Sequence, residues 1–421
     1  MIRPIGGLLL YLYALAAAAL PTLPADSADI HQGVRTCANS NCHNAKRPGP
    51  FSYIGQNEFS IWNSKDRHAK SYKALQSPAA TAIARRLGQA DATQMQSCLS
   101  CHTDNVPAAR RGKNFALSDG VACEACHGGA QHWLASHSDT TSTHAQNVAA
   151  GMYPTEDPVA RARLCMRCHV GTPENPMTHR LLGAGHSRLA LELDSFTLAR
   201  PAHHVDDADY RQRKPGQFPL RTWALGQIQS AIEWQRLHVA IKPGGMWPEF
   251  SFYECFGCHR KKDRETADGV FQPRLDISSL VMTRVVLERV MPQQAATWKS
   301  LMQTLRRPAN AYDQQRALSQ IGTLSAQALA AAERYAFKTG DAQPYMHLLE
   351  QYADAGEFDR YDAAEQATYA AAVIVATQND DVENSKANAA MEALYQAVDD
   401  SSRFATVTWR AKLKAVGDTI R

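Results

Sequence analysis

The chain has 421 residues, with 45 basic and 41 acidic side chains and a formal net charge of +4. This small basic excess is far from the strongly basic balance of a nucleic-acid-binding domain, so we predict no nucleic-acid partner. The length leaves room for more than one domain, and 44% hydrophobic residues are enough to form a buried core.

The N-terminus has the layout of a secretory signal peptide. Arg3 supplies a positive charge, an apolar run covers 5–20, and small residues follow within 24–28. The run is shorter than the roughly 18 residues expected of a membrane-spanning helix, and a retained anchor is the alternative. We predict that 1–28 is a signal peptide, that the mature chain is periplasmic or extracellular, and that no stable membrane span remains after cleavage.

All ten cysteines fall into five pairs, and a histidine directly follows the second cysteine of each pair. The first pair has a wider spacing, C-x4-C-H, at Cys37, Cys42 and His43. The other four are regular C-x-x-C-H motifs, in chain order Cys98–Cys101–His102, Cys123–Cys126–His127, Cys165–Cys168–His169 and Cys255–Cys258–His259. C-x-x-C-H is the attachment signature of c-type haem, in which two thiols bond to the porphyrin and the histidine becomes an axial iron ligand.

Other cofactors explain this pattern less well. Zinc sites and iron–sulfur clusters also use four thiolates, but neither needs a histidine fixed to the second cysteine. A redox-active C-x-x-C is expected once, on a βαβ pattern. We therefore predict five haem c groups bound by the ten cysteines, with the five motif histidines as iron ligands. For Cys37 and Cys42, a disulfide that closes a short loop is the alternative.

A second ligand on the opposite face of each haem decides whether its iron is saturated or open to a small molecule. Eleven of the 16 histidines lie outside the motifs. As distal ligands we predict His68, His137, His179 and His186. The candidates that compete for the fifth place are His144, the pair His203–His204, and His238. Three others are expected to be ordinary surface or packed residues: His31, His132 and His347.

Two regions of different composition follow the predicted signal, and the expected fold class is mainly α. Region 29–270 carries all five motifs, with Gly, Pro and polar residues throughout, which predicts a pentahaem cytochrome c domain of short helices and long loops that wrap the haems. Its folding should depend on haem insertion. Region 271–421 lacks cysteine and has apolar residues at helical spacing, which predicts an all-α bundle that offers a surface for complex formation.

The C-terminal helices are predicted from apolar periodicity and from the breakers between them. The predicted helical stretches are 280–290, 293–306, 311–337, 358–377, 383–398 and 401–419. Gly340, Pro344 and Gly356 are expected to mark the joints.

The second and third motifs carry a family resemblance. The stretch from Cys98 to His102, followed by 119–129 (Asp-Gly-Val-Ala-Cys-Glu-Ala-Cys-His-Gly-Gly), resembles the multihaem cytochromes c of the cytochrome c554 type. The segments at His68 and at 133–137 look similar to that group too. The family is related to hydroxylamine oxidoreductase and pentahaem nitrite reductase. The resemblance covers about 30–260 and implies helical wrapping, closely packed haems in stacked and perpendicular pairs, and mainly bis-histidine irons.

The sequence departs from that pattern in three respects. It has five motifs where the tetrahaem carriers have four, the first motif is C-x4-C-H, and the C-terminal region lies outside the pattern. No C-x-x-C-K occurs, whereas nitrite reductase relatives typically carry lysine at the catalytic haem.

These observations favour an electron-transfer protein over an enzyme. We predict a periplasmic multihaem cytochrome that carries electrons through about five haems in a respiratory or redox chain, with other redox proteins as donor and acceptor. The alternative is a haem redox enzyme that acts on a small nitrogen or sulfur compound at one open haem. A third hypothesis is a scaffolding subunit whose C-terminal bundle docks a partner.

Overall fold

The computed structural model describes residues 20–45, 55–200, 202–203, 218–241, 249–255, 259, 274–378 and 385–420. Three predicted features lie outside these ranges: Cys258, His204 and the first 19 residues of the proposed signal. Helices dominate the described residues, where the strands are one short antiparallel pair, Gly171–Thr172 and Asn175–Pro176. The predicted mainly α fold class is therefore confirmed. Within the described ranges, every helix is too short or too polar to cross a bilayer.

The N-terminal half consists of short helices joined by irregular segments. The α-helices are Val34–Cys37, Glu58–Lys65, Ser71–Leu75, Pro78–Arg86, Gln96–His102, Cys123–His127, Leu134–Ser138, His144–Ala149, Pro158–His169, His179–Gly183 and Leu193–Ala199. Single 3-10 turns lie at His68–Lys70, Ala92–Gln94, Ala108–Arg110 and Leu117–Asp119. Only small apolar clusters form here, one of them around Leu75 and Leu99 and another around Met166 and Leu193. Side chains alone thus supply little core in this half.

Longer helices form the second half. They are Pro219–Ala240, Ser278–Val290, Pro292–Arg306, Ala311–Arg334, Ala342–Asp354, Tyr361–Gln378, Ser385–Gln396 and Thr406–Asp418, with 3-10 turns at Phe250–Phe252 and Thr339–Asp341. They share one large apolar core. Two of its fully buried indoles are hydrogen-bonded: Trp298 Nε1 donates to the Leu280 carbonyl (2.9 Å), and Trp409 Nε1 donates to Thr368 Oγ1 (2.9 Å). The third, Trp223, has no hydrogen-bond partner for Nε1 among the described residues.

The helix Pro219–Ala240 lies at the centre of that core. It packs against Ser278–Val290 and Ala311–Arg334, and also against Pro158–His169, which carries the fourth cysteine motif. Most of its side chains are buried on all sides, so its sequence shows no clear amphipathic period and did not predict a long helix. The domain division at residue 270 stays a prediction, and this helix joins the two regions by packing.

Helix Ala342–Asp354 occupies a stretch where the sequence predicted a joint. Pro344 lies in its first turn, where a missing N–H costs nothing because the first amide groups of a helix have no intrahelical acceptor. Tyr345 and Leu349 of the same helix are fully buried. Proline therefore marks the beginning of this helix and does not interrupt it.

The segment that precedes the first motif is docked on the N-terminal half. Arg163 donates to the Pro21 carbonyl (2.9 Å), Arg110 donates to the Ala25 carbonyl (2.7 Å), and Arg167 pairs with Asp26 (3.0 Å). Residues 21–28 thus contribute contacts to the fold, although they fall inside the predicted signal of 1–28. That boundary stays a prediction.

Candidate metal centres

The regular motifs present their reactive groups on one side of a short helix. Gln96–His102, Cys123–His127 and Pro158–His169 each end at a motif histidine. In a helix, positions i, i+3 and i+4 share a face, so both thiols and the imidazole of C-x-x-C-H project in one direction. The spacing of the motif therefore produces a three-point attachment surface.

The wider first motif reaches a related arrangement through a turn. The helix Val34–Cys37 ends at the first cysteine, and the Cys42 amide donates to the Asn39 carbonyl (2.9 Å). The His43 amide then donates back to the Cys37 carbonyl (3.2 Å). This bond folds the two extra residues into the loop and keeps His43 beside Cys37. None of the nine described cysteines forms a disulfide.

Each motif histidine faces a second histidine from a distant part of the chain. We number these pairs as sites, with the distance between ring centroids: site 1, His43 and His137, 5.8 Å; site 2, His102 and His186, 6.4 Å; site 3, His127 and His203, 6.2 Å; site 4, His169 and His68, 6.3 Å; site 5, His259 and His179, 6.2 Å. The structure thus brings all four histidines predicted as distal ligands opposite a motif histidine. The fifth partner is His203, from the set that competed for that place.

The separation within each pair fits a metal ion between the rings. Imidazole–metal bonds are about 2 Å long, and a ring centroid lies about 1.1 Å behind the bonding nitrogen, so two imidazoles that held one metal ion from opposite sides would have centroids about 6 Å apart. The observed range is 5.8 to 6.4 Å. Among the described residues, the histidine rings that could bind a metal come together in such pairs. No group of three or more His, Cys, Asp or Glu side chains in these residues is arranged to hold a metal.

Burial keeps several of these rings neutral. It lowers the pKa of His127 to about 3, with the nearby His203 and Arg200 adding to the effect. Burial also lowers the pKa of His102 and of His169. A neutral imidazole has a free lone pair, which metal coordination requires.

Hydrogen bonds from Nδ1 orient rings of these histidine pairs at three sites. His43 Nδ1 donates to Glu58 (3.0 Å) and His68 Nδ1 to Asp66 (2.9 Å). At site 2 the acceptors are backbone carbonyls: His102 Nδ1 donates to Ser71 (3.0 Å), and His186 Nδ1 donates to Ser187 (2.7 Å). An imidazole whose Nδ1 donates in this way presents Nε2 as the nitrogen that can hold a metal ion.

His203 is held differently. Arg200 Nη1 donates to His203 Nδ1 (2.9 Å), so the proton of the neutral ring is on Nε2. Coordination through Nε2 requires that proton to move and the arginine contact to loosen.

The thiols of different motifs lie close together. The thiol of Cys123 lies close enough to Cys37 to lower the pKa of the Cys37 thiol, which links sites 1 and 3. A hydrogen bond from Cys168 lowers the pKa of Cys101 to about 7 and links sites 4 and 2. Burial and the nearby Cys165 raise the pKa of Cys126 to about 12, which indicates that sites 3 and 4 are neighbours. The contacts give the spatial order 1–3–4–2.

Site 5 adjoins the C-terminal helices. His179 is held by its backbone N–H, which donates to Glu249 Oε1 (2.7 Å), and by the Phe250 ring. Glu254, next to Cys255, pairs with Arg360 (3.0 Å), directly before the helix Tyr361–Gln378. The fifth motif is therefore tied to the second half of the chain by an ion pair.

The remaining described histidines have other partners. His31 is buried against Asp104 (2.8 Å), and His238 is stacked between Trp234 and Phe252. The others make polar contacts: His132 with Asp29, His144 with Glu156, and His347 with Gln351. Within the described part of the chain, these five rings do not face a motif histidine.

Comparison with known proteins agrees with this chemistry. Residues 36–128 match the family model described as cytochrome c554 and c-prime. No curated protein and no solved structure matches the chain. The family match covers the first three motifs and supports a c-type cytochrome with covalently bound haem, which takes part in electron transfer with redox partners.

Proposed function

We propose that the chain is a five-haem electron carrier in which two histidines bind every iron. The observation that carries this proposal is the set of five histidine pairs, one for each cysteine motif. When bound, haem supplies one-electron redox chemistry. The two imidazoles of each pair would hold the iron from opposite sides and leave no position for a substrate, which would favour electron transfer.

The chain's own residues hold these centres close to one another. The thiol contacts Cys37–Cys123 and Cys101–Cys168 support an array in the order 1–3–4–2. Site 5, built on His179 and His259, adjoins the C-terminal helices. We propose that these helices cover one side of the array, and complex formation through them stays a prediction.

Export of the chain is part of the same proposal, because haem c is attached outside the cytoplasm. The positive charge of Arg3 and the apolar run over 5–20 support a signal peptide and a periplasmic or extracellular location. The docked segment 21–28 supports a mature chain that begins before Pro21.

The intact mass of the exported protein tests haem number and processing together. We expect five haems per chain and an N-terminus that precedes Pro21. A mass that corresponds to four haems, with Cys37 and Cys42 unmodified, would show that site 1 carries no haem. A mature chain that begins at Asp29 would show that the docked segment is discarded.

Small ligands distinguish an electron-transfer protein from the alternative, a haem redox enzyme with one open haem. We expect no immediate change in the absorption spectrum of the oxidised protein on addition of nitrite, hydroxylamine or cyanide, because both axial positions are filled at each site. A rapid change that involves one haem per chain would favour an open site and the enzyme.

A further inference from the structure

We propose that Glu58 and Asp66 are positioning residues that lower the reduction potentials at sites 1 and 4 below the potential at site 2. The inference rests on the proposed function and adds to it an order of reduction potentials, in which site 2 is reduced before sites 1 and 4. It follows from the chemical nature of the group that accepts a hydrogen bond from Nδ1 of each proposed ligand imidazole.

Glu58 is fixed on both carboxylate oxygens. Oε2 accepts from His43 Nδ1 (3.0 Å), and Oε1 accepts from the Gln56 amide (3.1 Å). The residue begins the helix Glu58–Lys65, whose N-terminal end favours a negative charge. Its side chain is 17% exposed, so solvent screens the contact with His43 only in part.

Asp66 is held more tightly. Oδ1 accepts both from His68 Nδ1 (2.9 Å) and from the His68 backbone amide (2.9 Å). Its side chain is 5% exposed, and the nearest described guanidinium, from Arg200, is 4.0 Å away. The carboxylate is therefore ionised, oriented and largely shielded from water at the back of a ligand ring.

At site 2, no carboxylate of the described residues accepts a hydrogen bond from either ring. Its two rings, His102 and His186, donate to the backbone carbonyls of Ser71 and Ser187. A carboxylate that accepts an Nδ1 proton pulls it more strongly than a neutral carbonyl does, which makes the imidazole a more basic ligand. A more basic ligand favours ferric over ferrous iron, and hence a lower reduction potential.

The variants Glu58→Gln and Asp66→Asn test this inference, since each removes the charge and keeps a carbonyl acceptor of similar size. We expect the ratio of reduced to oxidised iron at the affected site, at a fixed ambient potential, to rise about tenfold, which is about 59 mV for a one-electron centre. The readout is a potentiometric titration followed by electron paramagnetic resonance, which resolves individual low-spin haems.

Glu156→Gln is the matched control, because Glu156 pairs with His144, which faces no motif histidine in the described structure. If wild-type protein has five low-spin haems and neither variant shifts a potential beyond this control, the inference is wrong and the proposed function stands. If wild-type protein lacks bis-histidine haems, the proposed function fails first. If one variant does not take up haem, the other variant tests the inference. The wild-type protein then adds a second test, because the potentials at sites 1 and 4 should lie below the potential at site 2.

Discussion

Replacing Glu124 by alanine is expected to lower the free energy of unfolding of the haem-loaded protein by about 3–5 kcal/mol. Glu124 lies between the cysteines of the third motif and is 2% exposed. Its Oε1 accepts from the amides of Gln32 and Ala130 (both 2.7 Å), and its Oε2 accepts from Gly33 (2.6 Å). Alanine would leave three backbone donors without this acceptor, two of them in the segment before the first motif.

The same substitution should loosen site 1 from site 3. Glu124 ties the start of Val34–Cys37 to the helix Cys123–His127, and these helices bring Cys37 to Cys123. Denaturant unfolding of the loaded protein measures the loss of stability. Glu124→Gln keeps one carbonyl oxygen and should lose less, as the matched control. A change under about 1 kcal/mol for the alanine variant would contradict this role.

Replacing His203 by alanine is expected to convert one haem in five from low spin to high spin while all five stay attached. His203 faces His127 at 6.2 Å, and among described residues no other histidine faces that ring at a comparable distance. The cysteines of the third motif are untouched, so covalent attachment should persist. Removal of a strong-field axial ligand leaves an open position that binds cyanide or nitrite.

Electron paramagnetic resonance of the oxidised variant measures the new high-spin signal, and absorption spectra follow ligand binding. His144→Ala is the control, because His144 contacts Glu156 and should leave every haem unchanged. An alanine variant at His203 that stays entirely low spin, with five haems by mass, would show that another group ligates site 3.

Local spacing explains which parts of the sites could be predicted. Thiols and imidazole at i, i+3 and i+4 share a helix face, so the common direction of the motif side chains follows from the sequence itself. The histidines at 68, 137, 179 and 186 were predicted from their local surroundings. Their pairing with particular motifs depends on long-range packing. The same is true of the position of His203, which faces a motif histidine where His144 and His238 do not.

For the fold too, local sequence patterns could be predicted and features that depend on long-range packing could not. Amphipathic C-terminal helices such as Ala311–Arg334 were predicted close to their observed bounds, because one face is apolar and the other is polar. The helix Pro219–Ala240 was not, since burial on all sides removes that periodicity. Neither the acceptor behind each ligand ring nor the contact between Glu124 and Gly33 leaves a pattern in the sequence.

We propose that two histidines bind each of five irons, and a Mössbauer spectrum of the ⁵⁷Fe-enriched oxidised protein tests this ligation most directly. This measurement counts all iron by spin state, including iron in magnetically coupled haems. We predict that all the iron is low-spin ferric. A high-spin component of one fifth of the iron or more would contradict complete bis-histidine ligation and would indicate an open site.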